Sequence, residues 1–226
     1  MGIKENCEEI RERIVKTCKR AKRNNSEVKI IGIAKGRNTR EIREAYECGI
    51  KCIGENRIEE AGIHRKELAG ISEKIEWHFV GHLQGNKARK AVEMFEFIDS
   101  VDSLKLAEKI DRVALELNKR QKILIELNIA DEESKSGFSV NEIEGAFAKL
   151  IGFKNLKIRG FMCIPPEPKT PEDSRKYFIV MREIRKKMES MHTIVLPVLS
   201  MGMSMDFEVA IEEGASEIRI GRKLFE

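Results

Sequence analysis

The sequence predicts a single α/β domain closed as an eightfold (β/α)8 barrel, on three observations. Short apolar runs recur about eight times, stretches of helical periodicity alternate with them, and no Pro/Gly-rich linker or low-complexity segment interrupts the 226 residues. That length supports one large core, so residues 1–226 are expected to form one unit, with an extra N-terminal helix over about 1–25 packed on the barrel.

In chain order, Ile3, Cys7, Ile10, Ile14, Val15 and Cys18 fall at three- and four-residue steps between charges, which predicts an amphipathic helix ending near Asn24-Asn25. The β-branched run Val28 to Lys35, closed by Gly36, reads as a strand buried on both faces. Thr39 is placed to cap a helix that stops at Gly49, and Ile50 to Gly54 is the second strand. The period then repeats. A helix over 57–68 leads to strand three at Ile75–Val80, and a basic helix over 84–94 to strand four at Phe95–Val101. Ser103 opens a helix through Asn118, before strand five at Lys122–Ile129. A helix over 139–150 precedes strand six at Leu156–Ile164, and a long helix over 171–191 precedes strand seven at Ile194–Leu199. The last helix, Ser204–Glu213, stops at Gly214 and hands over to strand eight, Glu217–Ile220.

Charge and cysteine content narrow the function classes. The 42 basic and 38 acidic residues leave only +4, and no aromatic-interleaved basic stripe points to nucleic acid. Cys7, Cys18, Cys48, Cys52 and Cys163 lack the paired spacings of a zinc site and read as reduced thiols. No apolar stretch near Met1 suggests a signal or a membrane span, so a cytoplasmic protein without membrane attachment is expected. His64 and His192 fall on or beside predicted helices with no acidic or cysteine partner in view, and are read as ordinary packing or surface histidines. His78 is expected to be structural and to point into the barrel.

Chemistry concentrates at strand ends. Lys35 closes the first strand, where desolvation disfavours an ammonium and favours an amine that is neutral or condensed with a carbonyl. The alternative is a lysine that snorkels to solvent. Ser200-Met201-Gly202-Met203-Ser204 follows strand seven and Arg219-Ile220-Gly221-Arg222 closes strand eight, where such barrels often build a phosphate cup. An amine on the first strand facing an anion cradle on the last two is what a pyridoxal-phosphate site requires.

Four segments carry a specific resemblance: Gly54-Glu55-Asn56, the run Trp77-His78-Phe79-Val80-Gly81-His82-Leu83-Gln84-Gly85-Asn86-Lys87, Glu133-Ser134-Lys135-Ser136-Gly137, and Leu199 to Ser204. With these the chain resembles the pyridoxal-phosphate homeostasis proteins, a single-domain family related to the N-terminal barrel of alanine racemases, over about residue 28 to the end. The resemblance implies pyridoxal 5'-phosphate (PLP) as cofactor, an imine to Lys35, and a phosphate lined by Ser200, Gly221 and Arg222. It also implies Arg219 facing the pyridine nitrogen, Asn56 near the ring, His82 and Met203 near the pocket wall, and Lys135 at the mouth. The chain departs from the family in Ala34 and Gly36, where Ser or Thr usually flanks the lysine, and in Glu226 for a closing glycine.

The resemblance implies a role in vitamin B6 and amino-acid balance; PLP-dependent apoenzymes are candidate recipients, with their identity open, and the sequence leaves the choice between a monomer and a weak dimer open. A racemase needs a second acid-base group besides its lysine, and the two tyrosines, Tyr46 and Tyr177, fall on predicted helices. A guanidinium at the pyridine nitrogen would also weaken the ring as an electron sink. A carrier without efficient catalysis is therefore expected. The alternatives are a PLP-dependent amino-acid racemase and a cofactor-free Schiff-base aldolase.

Overall fold

The computed structural model describes residues 2–132 and 135–226. Parallel strands β1 (Lys29–Ile33), β2 (Cys52–Glu55), β3 (Glu76–Phe79), β4 (Phe97–Val101), β5 (Gln121–Asn128), β7 (Leu156–Cys163), β8 (Val198–Ser200) and β9 (Glu217–Ile220) form the predicted closed barrel. Closure comes from β4 pairing with β5, Phe97 opposite Lys122 and Ile98 opposite Ile123. A two-residue strand, β6 (Phe138–Ser139), pairs outside the ring with the end of β5. It was not foreseen, being too short to show a periodicity.

The crossover helices are α2 (Thr39–Glu47), α3 (Ile58–Glu67), α4 (Ala88–Met94), α5 (Leu104–Glu116), α6 (Ile143–Leu150), α7 (Arg175–His192), α8 (Phe207–Glu212) and α9 (Arg222–Phe225). The N-terminal helix α1 (Ile3–Arg20) buries Ile3, Cys7, Ile10, Ile14 and Cys18 and packs on α8, α9 and α2. Its placement is reinforced where Asn6 Nδ2 donates to the Leu224 carbonyl at 3.2 Å and Arg13 pairs with Glu208 at 2.7 Å.

Several boundaries differ from the sequence reading for identifiable reasons. Helix α1 stops at Arg20 rather than near Asn25, because Lys22 takes a left-handed φ of 53°. Asn38, not Thr39, caps α2, in a reciprocal box with Glu41. Strand β4 begins at Phe97 because the Phe95 N–H is still engaged by the helix carbonyl of Ala91. Strand β8 begins only after Pro197, which has no N–H to give the ladder. Helix α8 starts late, at Phe207, since Asp206 closes the preceding turn on the Met203 N–H at 2.7 Å.

Alternation along the strands divides the interior in two. Ile123, Ile125, Phe161 and Leu199 join the large core between barrel and helices. Leu124, Met162 and Val198, on the other face, form a small apolar cluster inside the barrel. Polar groups flank that cluster. At the N-terminal end His78, fully buried, meets Asp99 at 3.0 Å through Nδ1 and Glu76 at 3.2 Å through Nε2, while Lys29 pairs with Glu76 at 2.8 Å and lies 3.7 Å from Glu217. His78 thus points inward, as expected, into an ionic floor. No helix of the described residues is long and apolar enough to cross a membrane.

Candidate cofactor site

The opposite, C-terminal end of the barrel opens into a cavity of about 650 Å³. Its wall contains Lys35 after β1, Asn56 after β2, Val80 after β3, Lys135 after β5, Ile164 after β7, Met203 after β8 and Arg219, Gly221 and Arg222 from the end of β9. Six of the eight residues named from the sequence, namely Lys35, Asn56, Met203, Arg219, Gly221 and Arg222, therefore meet in one place, together with Lys135.

Local geometry explains how each is held. Strand β1 stops at Ile33, and the Ala34 N–H bonds the Gly54 carbonyl of β2 at 3.0 Å. The chain then turns, with Arg37 N–H donating to the Ala34 carbonyl at 2.9 Å. Gly36 holds the third position of that turn at φ +69°, the conformation a type II turn requires there, so Lys35 sits at its corner and projects at the cavity mouth. Lys35 is exposed, and it is exposed into the cavity.

Arg219, 4% exposed, forms part of the cavity floor. Its guanidinium donates to Ser200 Oγ at 2.9 Å and to the Cys163 carbonyl at 2.6 Å, so three strands fix it. Asn56 brings to the cavity a buried Oδ1 with no hydrogen-bond partner. Across from it the Met203–Asp206 turn is locked from both sides, Asp206 accepting from the Met203 N–H and, at 2.6 Å, from the Ser174 hydroxyl. Lys35, Arg37, Lys135, Arg219 and Arg222 give the wall an excess of positive charge over Glu167 and Asp206.

Two expectations are not met in this geometry. Ser200 does not line the cavity: its hydroxyl is fully buried and occupied by Arg219. His82 lies in a neighbouring groove of about 970 Å³, drawn there by Asp102 at 3.2 Å and Ser136 at 3.3 Å. The hydroxyl that does reach the cavity belongs to Ser204, which sequence reasoning placed only in the loop, and Arg37 and Glu167 were missed. Of the motif at 133–137, Glu133 and Ser134 lie outside the described residues.

His64 also departs from its reading as an ordinary histidine. It faces inward from α3, and its Nδ1 lies 2.6 Å from Oε1 of the fully buried Glu55. Because Glu55 belongs to β2, nine residues away, no helical spacing announced the pair. A second buried acid, Glu126 on β5, has its pKa pushed up to about 7, chiefly by burial and further by Asp102, against the pull of Arg219 and Lys135.

Comparison with known proteins places this geometry. The family described as alanine racemase, N-terminal domain, matches residues 3–225. A pyridoxal phosphate homeostasis protein of Aquifex aeolicus is 41% identical over 225 residues, covering 100% of this chain and 98% of its own. The chain belongs to the pyridoxal phosphate homeostasis protein family. Another member, from Synechocystis, is 40% identical over 88% of this chain and 90% of its own length. Among solved structures, PipY of Synechococcus elongatus superposes with a TM-score of 0.85 without PLP and 0.82 in a form with PLP bound, at 36% and 35% identity, each over 96% of this chain and 100% of that one. The family match begins at residue 3, so it takes in α1, which the motif resemblance from residue 28 had left outside.

Proposed function

We propose that this protein binds PLP in the C-terminal cavity, holds it through Lys35, and serves intracellular PLP homeostasis as a carrier rather than as an efficient catalyst. The residues present fit that cofactor. The cavity offers an amine at one wall, an unpartnered buried amide oxygen at Asn56, and a cation-rich rim suited to a dianionic phosphate. Bound there, PLP would supply an aldehyde for condensation with the Lys35 amine and a ring able to delocalise charge.

Each protein group has a corresponding part. Arg222, Gly221 and Ser204 converge from the turns after β8 and β9 and suit the phosphate; Arg219 suits the pyridine nitrogen; Asn56 suits a donor on the ring. The observation that carries the carrier reading is the fixing of Arg219 by Ser200 and Cys163. A guanidinium held in place only donates and keeps its charge, so it favours an unprotonated pyridine nitrogen and a poor electron sink. Neither tyrosine lines the cavity: Tyr46 lies on α2 and Tyr177 on α7.

The test pairs two assays on protein purified free of other PLP enzymes. PLP titration should give a saturable absorbance change at one equivalent, and transfer to a PLP-free aminotransferase should restore its activity. Steady amino-acid racemisation at ordinary enzyme rates would overturn the carrier reading in favour of a racemase. Cytoplasmic PLP-dependent apoenzymes are the recipients this reading implies, with the barrel acting as a monomer or weak dimer.

A further inference from the structure

The N-terminal end of the barrel gathers a set of donor atoms for which the cofactor cavity, at the opposite end, has no use. Alternation along the strands turns His78 of β3, Asp99 of β4 and Glu217 of β9 inward, and one donor atom from each lies within 4.8 Å of the others. His78 and Asp99 are fully buried and Glu217 is 2% exposed. The imidazole is held in place: it stacks on Phe97, ring centroids 4.5 Å apart and planes 4° from parallel, and its Nε2 lies 3.2 Å from Glu76. Its Nδ1 faces Asp99, whose Oδ1 and Oδ2 stand 3.2 and 3.0 Å away.

The cluster is incomplete on protein groups alone. One oxygen of Glu217 lies 3.7 Å from the Lys29 ammonium, but the other, Oε2, is buried with no hydrogen-bond partner among the described residues. An orphaned carboxylate oxygen bears its full desolvation penalty. A cation would remove that penalty. Zn2+ takes histidine nitrogen and carboxylate oxygen at about 2.0–2.2 Å, which sets adjacent donors roughly 3 to 3.5 Å apart. The spacing of His78 to Asp99 already matches, and a side-chain shift on the order of 1 Å brings Glu217 into the set. A metal-bound histidine usually donates its other ring N–H to a carboxylate, the place that Glu76 holds at Nε2.

We propose that His78 Nδ1, Asp99 and Glu217 form a structural site for one divalent ion of the zinc type, which pins β3, β4 and β9 together at the floor of the barrel. Both Asp99 oxygens face the ring, so the three side chains supply four donors and leave no position open to a substrate, as in structural sites. Binding releases one proton, because the ion takes the place that a proton on His78 holds in the metal-free chain. The nearby lysines are engaged elsewhere: Lys29 and Lys122 lie 2.8 and 3.8 Å from Glu76 and over the Phe97 face. Cys52, Glu76 and His78 form a second group around the same ring, but there the Glu76 carboxylate is already paired with Lys29. The site does not rest on the reading of the cavity as a PLP site.

The experiment titrates the full chain, stripped with a chelator and free of PLP, with Zn2+. One equivalent should survive gel filtration by elemental analysis, and the thermal midpoint should rise. Glu217→Gln removes a ligand at nearly constant shape and takes away the orphaned charge. Without metal it should melt no lower than the unaltered protein, yet bind Zn2+ at least tenfold more weakly, a loss that even the outer partner of a metal ligand can cause. An X-ray absorption spectrum of the loaded, unaltered protein needs no variant and should show nitrogen and oxygen donors only. No retained zinc in the unaltered protein, affinity unchanged in Glu217→Gln, or a sulfur donor in the spectrum overturns the site.

Discussion

The Ser200 hydroxyl accepts a hydrogen bond from the Arg219 guanidinium at 2.9 Å, buried beneath the cavity instead of in its wall. Ser200 therefore acts on the site through Arg219. Ser200→Ala leaves a buried guanidinium N–H unpaired, which costs about 1–3 kcal/mol. The expected result is a lower unfolding midpoint and PLP binding weakened by roughly threefold to tenfold, measured by denaturant titration and absorbance titration. Ser204→Ala, which leaves that bond intact, should weaken PLP binding with little change in midpoint.

Glu126 gives the stability of the fold a pH dependence. Its pKa of about 7 lies above the ordinary 4.5, first because burial disfavours the carboxylate. Between those values the folded chain holds a proton that the unfolded chain releases, so this group's contribution to stability falls as pH rises through the interval and levels off above about 7. The gap, at about 1.4 kcal/mol per pH unit, caps the effect at about 3.5 kcal/mol. Glu126→Gln should accordingly stabilise the protein at pH 8 and do little near pH 4.5, a difference that thermal melts across that range would register.

The barrel floor works in the same sense, through a base instead of an acid. Burial opposes protonation of His78, but Asp99, with help from Cys52 and Glu76, raises its pKa well above 6.5. A raised histidine stabilises fully below its unfolded value and loses that contribution as pH climbs through the folded one. Asp99→Asn strips the buried imidazolium of its nearest counter-charge, and removing one partner of a buried pair costs about 3–5 kcal/mol. Chemical denaturation at pH 6 and pH 9 should show the larger loss at pH 6.

Gly202 sets the turn that carries Met203 and Ser204 to the cavity. Its φ is +89°, and a Cβ there would stand 2.5 Å from Ala210 Cβ and 3.0 Å from Phe207 Cα. Gly202→Ala combines left-handed strain with overpacking, so a loss of roughly 2–4 kcal/mol and weaker PLP binding are expected.

The barrel was legible because parallel strands buried on both faces leave continuous β-branched runs, and the run ending at Lys35 shows that pattern most fully. The strand-end residues were legible by motif, which is why Lys35, Asn56, Arg219 and Arg222 meet in one cavity. Features that depend on partners distant in sequence were not. Arg219 takes Ser200 out of the cavity wall, Asp102 takes His82 into the next groove, and Glu55 is a buried partner for a histidine that its own helix presents as packing. Phe95 and Pro197 shifted strand starts through single N–H groups, a detail that hydrophobicity does not encode.

In the proposed site PLP is attached at Lys35. Borohydride reduction of the PLP-loaded protein, followed by peptide mass analysis, should place a pyridoxyl adduct on the peptide containing Lys35, and Lys35→Ala should yield a colourless protein with no stoichiometric adduct. An adduct at full occupancy on another lysine, or undiminished yellow colour in the Lys35→Ala variant, would contradict it.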